Sequence, residues 1–386
     1  VARLVPLRAL LHVATATTLV VLSFSMLTPV LAVRLQTAGV STSAIGAFAM
    51  LTFLSVALMV PLMPRVFARL GVARAYRLGL MLEAVATLGY ALTDHYGLWC
   101  VLSALAGIGA AAAWNGTEAL IAYNAPPERR GRFTGMYQTA LGGALALGPF
   151  LPGLLPLSPR ALTVLAAAVL LLAIAVTLTP GVSQLQASRA GTASMGLLSA
   201  LRRVPGLAWI AFAGGVFEAG LSAVSSAYGS KVGLSLASAA SIAGVLGVGS
   251  FMLQYPSGWL ADHVAPRRVF SAAGWLLVAG SLAFAWVTQS HTLLWVSAFV
   301  WGAVGGSLYT LTMIRVAHEF ADSSAVAGSA AMIVSYTLGG AIGPALSGWM
   351  LDNFGAVGQA TWLSLMALGV VVVARRTFAT VRRPAA

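Results

Sequence analysis

Long apolar stretches, cut by charged or Gly/Pro-containing breaks, recur along the whole chain. A helix needs about 20 apolar residues to cross the hydrocarbon core of a bilayer. The pattern predicts such helices near 9–33, 43–62, 75–93, 97–123, 132–155 and 160–180, and six more near 207–228, 236–259, 269–288, 292–316, 326–350 and 359–376. Between the two sets runs the longest polar connection. The expected organisation is therefore a first six-helix bundle over 1–180, a linker over 181–206 carrying a short amphipathic helix near Met195–Leu201, and a second six-helix bundle over 207–386.

Composition supports the bilayer as solvent. Hydrophobic residues make up 59% of the 386, charged residues only 8%, and mean hydropathy is +0.90. A water-soluble body of this size would lack the polar residues to cover it. The net charge of +13 reads as topology, since basic residues accumulate on cytoplasmic loops. Placing both termini in the cytoplasm puts all but Arg34, Arg160 and Lys231 of the 22 basic residues on the inside. The basic, apolar start resembles a signal peptide, but its run extends to about Val33, so it is expected to remain as the first helix.

Several chemistries are excluded. Cys100 is the single cysteine, the five histidines lack metal-ligand spacing, and Lys231, the sole lysine, precedes Val232, so no G-K-[ST] phosphate loop exists. No H-E-x-x-H or G-x-S-x-G motif occurs. Neither enzyme chemistry, a cofactor, a metal nor nucleic-acid binding is indicated. The expected partners are a small-molecule substrate, protons and the bilayer, with function as a monomer.

The two halves repeat. Gly148-Pro149 recurs as Gly343-Pro344 and Gly107 as Gly302, each displaced by 195 positions. The loop after the eighth span reads Gly258-Trp-Leu-Ala-Asp262-His-Val-Ala-Pro-Arg267-Arg268. Its first copy retains Arg69, Gly71 and Arg74 but has Ala68 where an acid would stand. These residues resemble the loop signature of the major facilitator superfamily, over essentially the whole chain. That resemblance implies an all-α membrane fold of twelve transmembrane helices in two pseudo-symmetric bundles, working by alternating access around a central cavity. It also implies a cytoplasmic gate in which Asp262 meets the start of the fifth span, where Arg129, Arg130 and Arg132 are available. A solvated topogenic loop is the alternative.

In the fifth span, Gly135, Ala144, Gly148-Pro149 and Pro152-Gly153 look like the signature of drug/proton antiporters. The eleventh offers Gly339, Gly343-Pro344 and Ser347-Gly348. Small residues allow close helix contact and proline bends a helix, so a deformable seam between the halves is expected. Ordinary helix packing accounts for the same residues.

Acids within spans are costly and become functional candidates by default. Glu83, Glu118 and Glu218 are the candidates for proton coupling. Trp114 lies four residues before Glu118, on the same helical face, and the pair would suit a cationic or amphipathic ligand. Substrate contacts are expected from Trp114, Glu118, Tyr137, Gln138, Glu218, Gln254, Trp301, Tyr309 and Tyr336. Each acid has a bland alternative, such as Glu218 being a satisfied acid bonded to Ser222 or to a neighbouring helix. The resulting expectation is proton-coupled efflux of a small amphipathic or cationic compound across a bacterial inner membrane. Proton-coupled nutrient uptake, or a non-transporting sensor or scaffold with the same fold, is the alternative.

Overall fold

The computed structural model describes residues 7–124, 130–185, 196–320 and 325–379, and every regular element among them is helical. Six long helices lie in the first half: α1 (Leu7–Thr37), α2 (Thr42–Met59), α3 (Val72–Leu92), α4 (Tyr96–Asn124), α5 (Arg130–Leu147) and α6 (Pro159–Thr177). The second half follows with α7 in two pieces (Pro205–Glu218 and Leu221–Lys231), α8 (Leu236–His263), α9 (Pro266–Ala283) and α10 (Thr292–Glu319). A continuous helical stretch, Ala325–Thr377, is divided at Gly355, whose φ of 63° breaks it into α11 (325–354) and α12 (356–377). Short helices at Met63–Leu70 and Leu197–Arg203 flank the long ones. The second of these overlaps the stretch near Met195–Leu201 where the sequence predicts a short amphipathic helix.

Local sequence explains the boundaries. Ser158 and Ser235 accept hydrogen bonds from the N–H groups of Ala161 and Ser238, capping α6 and α8. Prolines open α6, α7 and α9, where no intrahelical N–H is needed. Gly71 ends the Met63–Leu70 helix with φ 77°, a conformation that disfavours any residue with a Cβ.

The helices pack as two compact units. One comprises Val1–Arg34 and Leu51–Thr192, the other Leu35–Met50 and Ala193–Ala386. The first half of α2 thus packs with the second unit and its remainder with the first. Backbone contacts at glycine reproduce the 195-residue repeat. A Cβ on Gly107 would overlap the Thr52 carbonyl of α2, and one on Gly302 would overlap the Leu246 carbonyl of α8.

The other repeated pair also makes close backbone contacts. Gly148, followed by Pro149 in a short 3-10 turn, packs on Ser25 and Met26 of α1. Gly339 and Gly343 pack on Phe212 and Val216 of α7, and the Pro344 carbonyl receives Gly46 of α2. These small residues join α5 to α1 and α11 to α7, and at Pro344 they bring α11 of the second half against α2 of the first. Among the described residues, nothing lies within 4 Å of where a Cβ on Gly135 would stand.

Candidate functional site

Glu218 ends the first piece of α7, where the Gly220 N–H reaches back five residues to the Gly215 carbonyl at 3.0 Å. Such a one-turn irregularity is frequent at functional sites. The Ser250 hydroxyl of α8 donates to Glu218 Oε1, and the Tyr336 hydroxyl of α11 donates to Oε2 at 2.8 Å. Glycines make room for this ring. A Cβ on Gly306 of α10 would stand 2.9 Å from Oε1, and one on Gly305 would stand 3.0 Å from the Glu218 nitrogen.

Tyr309 of α10 completes the shell, its ring centroid 4.6 Å from that of Tyr336. One turn along α8 from Ser250, the exposed Gln254 accepts a hydrogen bond from Thr310 at 2.8 Å. A further turn along, buried Ser257 donates to Ser307 at 2.7 Å. Ser250, Gln254 and Ser257 are spaced i, i+4, i+7 and so share one face of α8. Sequence reasoning found Glu218, Gln254, Tyr309 and Tyr336 but missed Ser250, Gly306 and Thr310. That polar face on an apolar helix was the available signal. Of the two structural partners expected for Glu218, Ser222 or a neighbouring helix, the structure shows the second, with donors from α8 and α11.

Trp301 corrects an expectation. It is 0% exposed, donates through Nε1 to Ser281 at 3.1 Å and packs on Phe284. It is core of the second unit, because its ring fills the gap between α9 and α10.

The first unit is organised differently. Thr17 of α1, Tyr76 of α3 and Thr117 of α4 form a buried neutral cluster, with Thr17–Tyr76 at 2.8 Å and Thr17–Thr117 at 2.7 Å. Glu83 of α3 is 7% exposed, and its Oε1 has no hydrogen-bond partner among the described residues. It lies where Gly79 and Gly109 bring α3 and α4 into backbone contact. Glu118 and Trp114 are both exposed on α4, as is Gln138 on α5, whereas Tyr137 is 2% exposed and belongs to the core of this unit. Among the described residues, neither Glu83 nor Glu118 is met by a shell of donors like that around Glu218.

Charges expected on the outer side occur in pairs. Arg34 donates to Asp94 at 2.6 Å and to the Tyr90 carbonyl at 2.8 Å, and its guanidinium lies 4.7 Å from the Trp99 ring centre. Arg160 pairs with the same Asp94. Hydrogen bonds from Arg34 and then Arg160 hold the Asp94 carboxyl below the usual carboxylate range. Lys231 pairs with Asp352 at 3.3 Å. Toward the opposite helix ends, Asp262, Arg267 and Arg268 are exposed, as are Arg69 and Arg74. Among the described residues Asp262 makes no ion pair. The side chains of Arg130 and Arg132, expected to meet it, lie outside the described residues, as does Arg129.

The sequence matches the Major Facilitator Superfamily over residues 13–253 and again over 221–385. The chain belongs to the Major Facilitator Superfamily. It is 25% identical over 338 residues to the uncharacterized superfamily transporter YfkF of Bacillus subtilis, covering 86% of each chain. It is also 25% identical over 291 residues to YcaD of Escherichia fergusonii, covering 74% of each. The fold resembles the nucleoside transporter NupG, with a TM-score of 0.77 at 13% identity, covering 97% of this chain and 100% of that one. It also resembles a bacterial homolog of the human lysosomal transporter Spinster in an inward-facing conformation, with a TM-score of 0.74 at 18% identity over 99% of both. This superfamily member is accordingly a multi-pass, all-helical secondary transporter of a small molecule, and not an enzyme.

Proposed function

We propose that this transporter exports a small cationic or amphipathic compound in exchange for protons by alternating access, with Glu218 holding proton and cation in turn. One observation carries the reading. The Glu218 carboxylate is met on both oxygens by hydroxyl donors from α8 and α11, beside the paired rings of Tyr309 and Tyr336. A carboxylate next to tyrosine faces attracts an organic cation, and a proton on the same carboxylate removes the charge that holds it. Two ligands competing for one group are thereby coupled, because each biases the conformational equilibrium only while the other is absent. A proton crossing about 100 mV supplies ~2.3 kcal/mol to such an exchange.

Glu118 with Trp114 is the second acid–aromatic pair and the second proton candidate, with Glu83 the third. Gln138, Gln254 and Thr310 supply polar contacts to substrate. The loop residues Asp262, Arg267, Arg268, Arg69 and Arg74, with Arg130 and Arg132, serve as a cytoplasmic gate. The protein works as a monomer in a bacterial inner membrane with both termini inside.

Proteoliposomes with an imposed pH gradient test the reading, using ethidium as a planar aromatic cation. Glu218→Gln and Glu118→Gln are each expected to abolish gradient-driven dye movement while the protein remains folded. Dye movement at the parental rate in both variants would remove these acids from the coupling step.

A further inference from the structure

The start of α2 is held to α11 by an acid that no sequence motif marks. Asp352 Oδ2 accepts hydrogen bonds from the backbone N–H of Ser43 at 2.6 Å and from its hydroxyl at 2.7 Å. Oδ1 accepts from Lys231 at the end of α7, at 3.3 Å. Ser43 lies in the first turn of α2, where backbone N–H groups have no partner within the helix and the helix dipole is positive. Asp352 therefore caps α2 from another helix while Lys231 balances its remaining charge.

Below this clasp the two helices are in backbone contact. A Cβ on Gly348 would overlap the Thr42 carbonyl, and one on Gly46 would overlap that of Pro344. The contact between α2 and α11 includes close backbone approaches at Gly46 and Gly348. The Asp352–Ser43 bonds attach it at the start of α2. Hydrogen bonds to a charged group contribute more than neutral ones but are readily exchanged for water at a partly exposed position, and the Lys231 side chain is 45% exposed. Residues 35–50 pack with the second unit while the continuation of the same helix packs with the first. A movement of α2 away from α11 as one rigid rod would open this attachment.

We propose that Asp352 is a positioning residue of the transport cycle, which reversibly docks the first half of α2 on α11 through Ser43 and is balanced by Lys231. Docked and undocked arrangements are both populated, and the clasp sets their ratio. The proposal stands whether or not Glu218 carries a proton.

Distance measurement between nitroxide labels tests it without any substrate. Ala38→Cys and Val357→Cys, both exposed positions, carry the labels in a Cys100→Ser background, with the full-length protein in detergent and in liposomes. The expected result is two distance populations, with Asp352→Asn shifting their ratio about tenfold toward the longer one and Asp352→Glu restoring it in part. Because Lys231 is half-exposed, Lys231→Gln keeps the fold and is expected to move the ratio about threefold in the same direction, which covers the case in which Asp352→Asn does not fold. A single distance that neither substitution alters would overturn the proposal, since a merely structural contact gives one population.

Discussion

The two units carry their membrane-buried acids in opposite ways. In the second, Glu218 stands at an irregularity in α7 and is met by Ser250, Tyr336 and the glycines of α10. In the first, Glu83 is buried against α4 with no partner for Oε1 among the described residues, and Glu118 is exposed on α4. The polar groups of the first unit bond instead to one another, through Thr17, Tyr76 and Thr117. Repeated backbones thus do not imply repeated chemistry. Contacts at Gly107 and Gly302 recur because helix spacing depends on small residues. The placement of donors depends on single side chains, which can diverge without moving a helix.

Substitutions can break or sharpen this contrast. The largest effect is expected from Glu218→Gln, a loss of proton-driven exchange of about 100-fold or more, as befits a group that itself carries the proton. The same loss is expected from Glu118→Gln in that flux assay; a smaller one would extend the contrast between the units from structure to coupling. Next comes Gly306→Ala. Its methyl group would press on Glu218 Oε1 and Ser250, at a cost of about 1–3 kcal/mol for overpacking, read as reduced flux in folded protein. Tyr336→Phe should reduce flux about tenfold, by removing one hydrogen bond to a charged group, and Ser250→Ala should act similarly.

Glu83→Met should behave in the opposite sense. Replacing a buried acid whose Oε1 has no partner among the described residues by an apolar side chain is expected to stabilise the first unit by about 1–3 kcal/mol, seen as a raised thermal midpoint in detergent. A lowered midpoint would mean that the carboxyl has a partner in the working protein. Asp94→Asn is expected to have the smallest effect, because the ion pairs with Arg34 and Arg160 are exposed at the Asp94 side. The folded-state carboxyl titrates below the usual range. Its contribution is therefore present above the ordinary carboxylate range and is lost as pH falls below it. Thermal midpoints of parent and variant should differ at neutral pH and converge in acid.

The residues show which parts were legible. Spans were readable because an apolar run of sufficient length has no stable alternative to a helix in lipid. The pairing of Arg34, Arg160 and Lys231 with Asp94 and Asp352 was half legible. The charge pattern isolated the three bases, but only folding brought the acids to them. Trp301 was misread as cavity-lining, because an aromatic residue in mid-helix gives no sign of the face it occupies. Ser250 went unnoticed because a lone serine in an apolar helix usually bonds its own backbone.

The sequence by itself determined that the chain lies in a bilayer, that its helices fall into two related sets, and which few acids are buried there. Those properties follow from transfer free energies and spacing, which act residue by residue along the chain. Only the tertiary structure decided that Glu218 is ringed by donors while Glu83 is not, and that Asp352 caps a helix some three hundred positions earlier. Such contacts join residues remote in sequence, and no local rule fixes which side chains meet when helices pack.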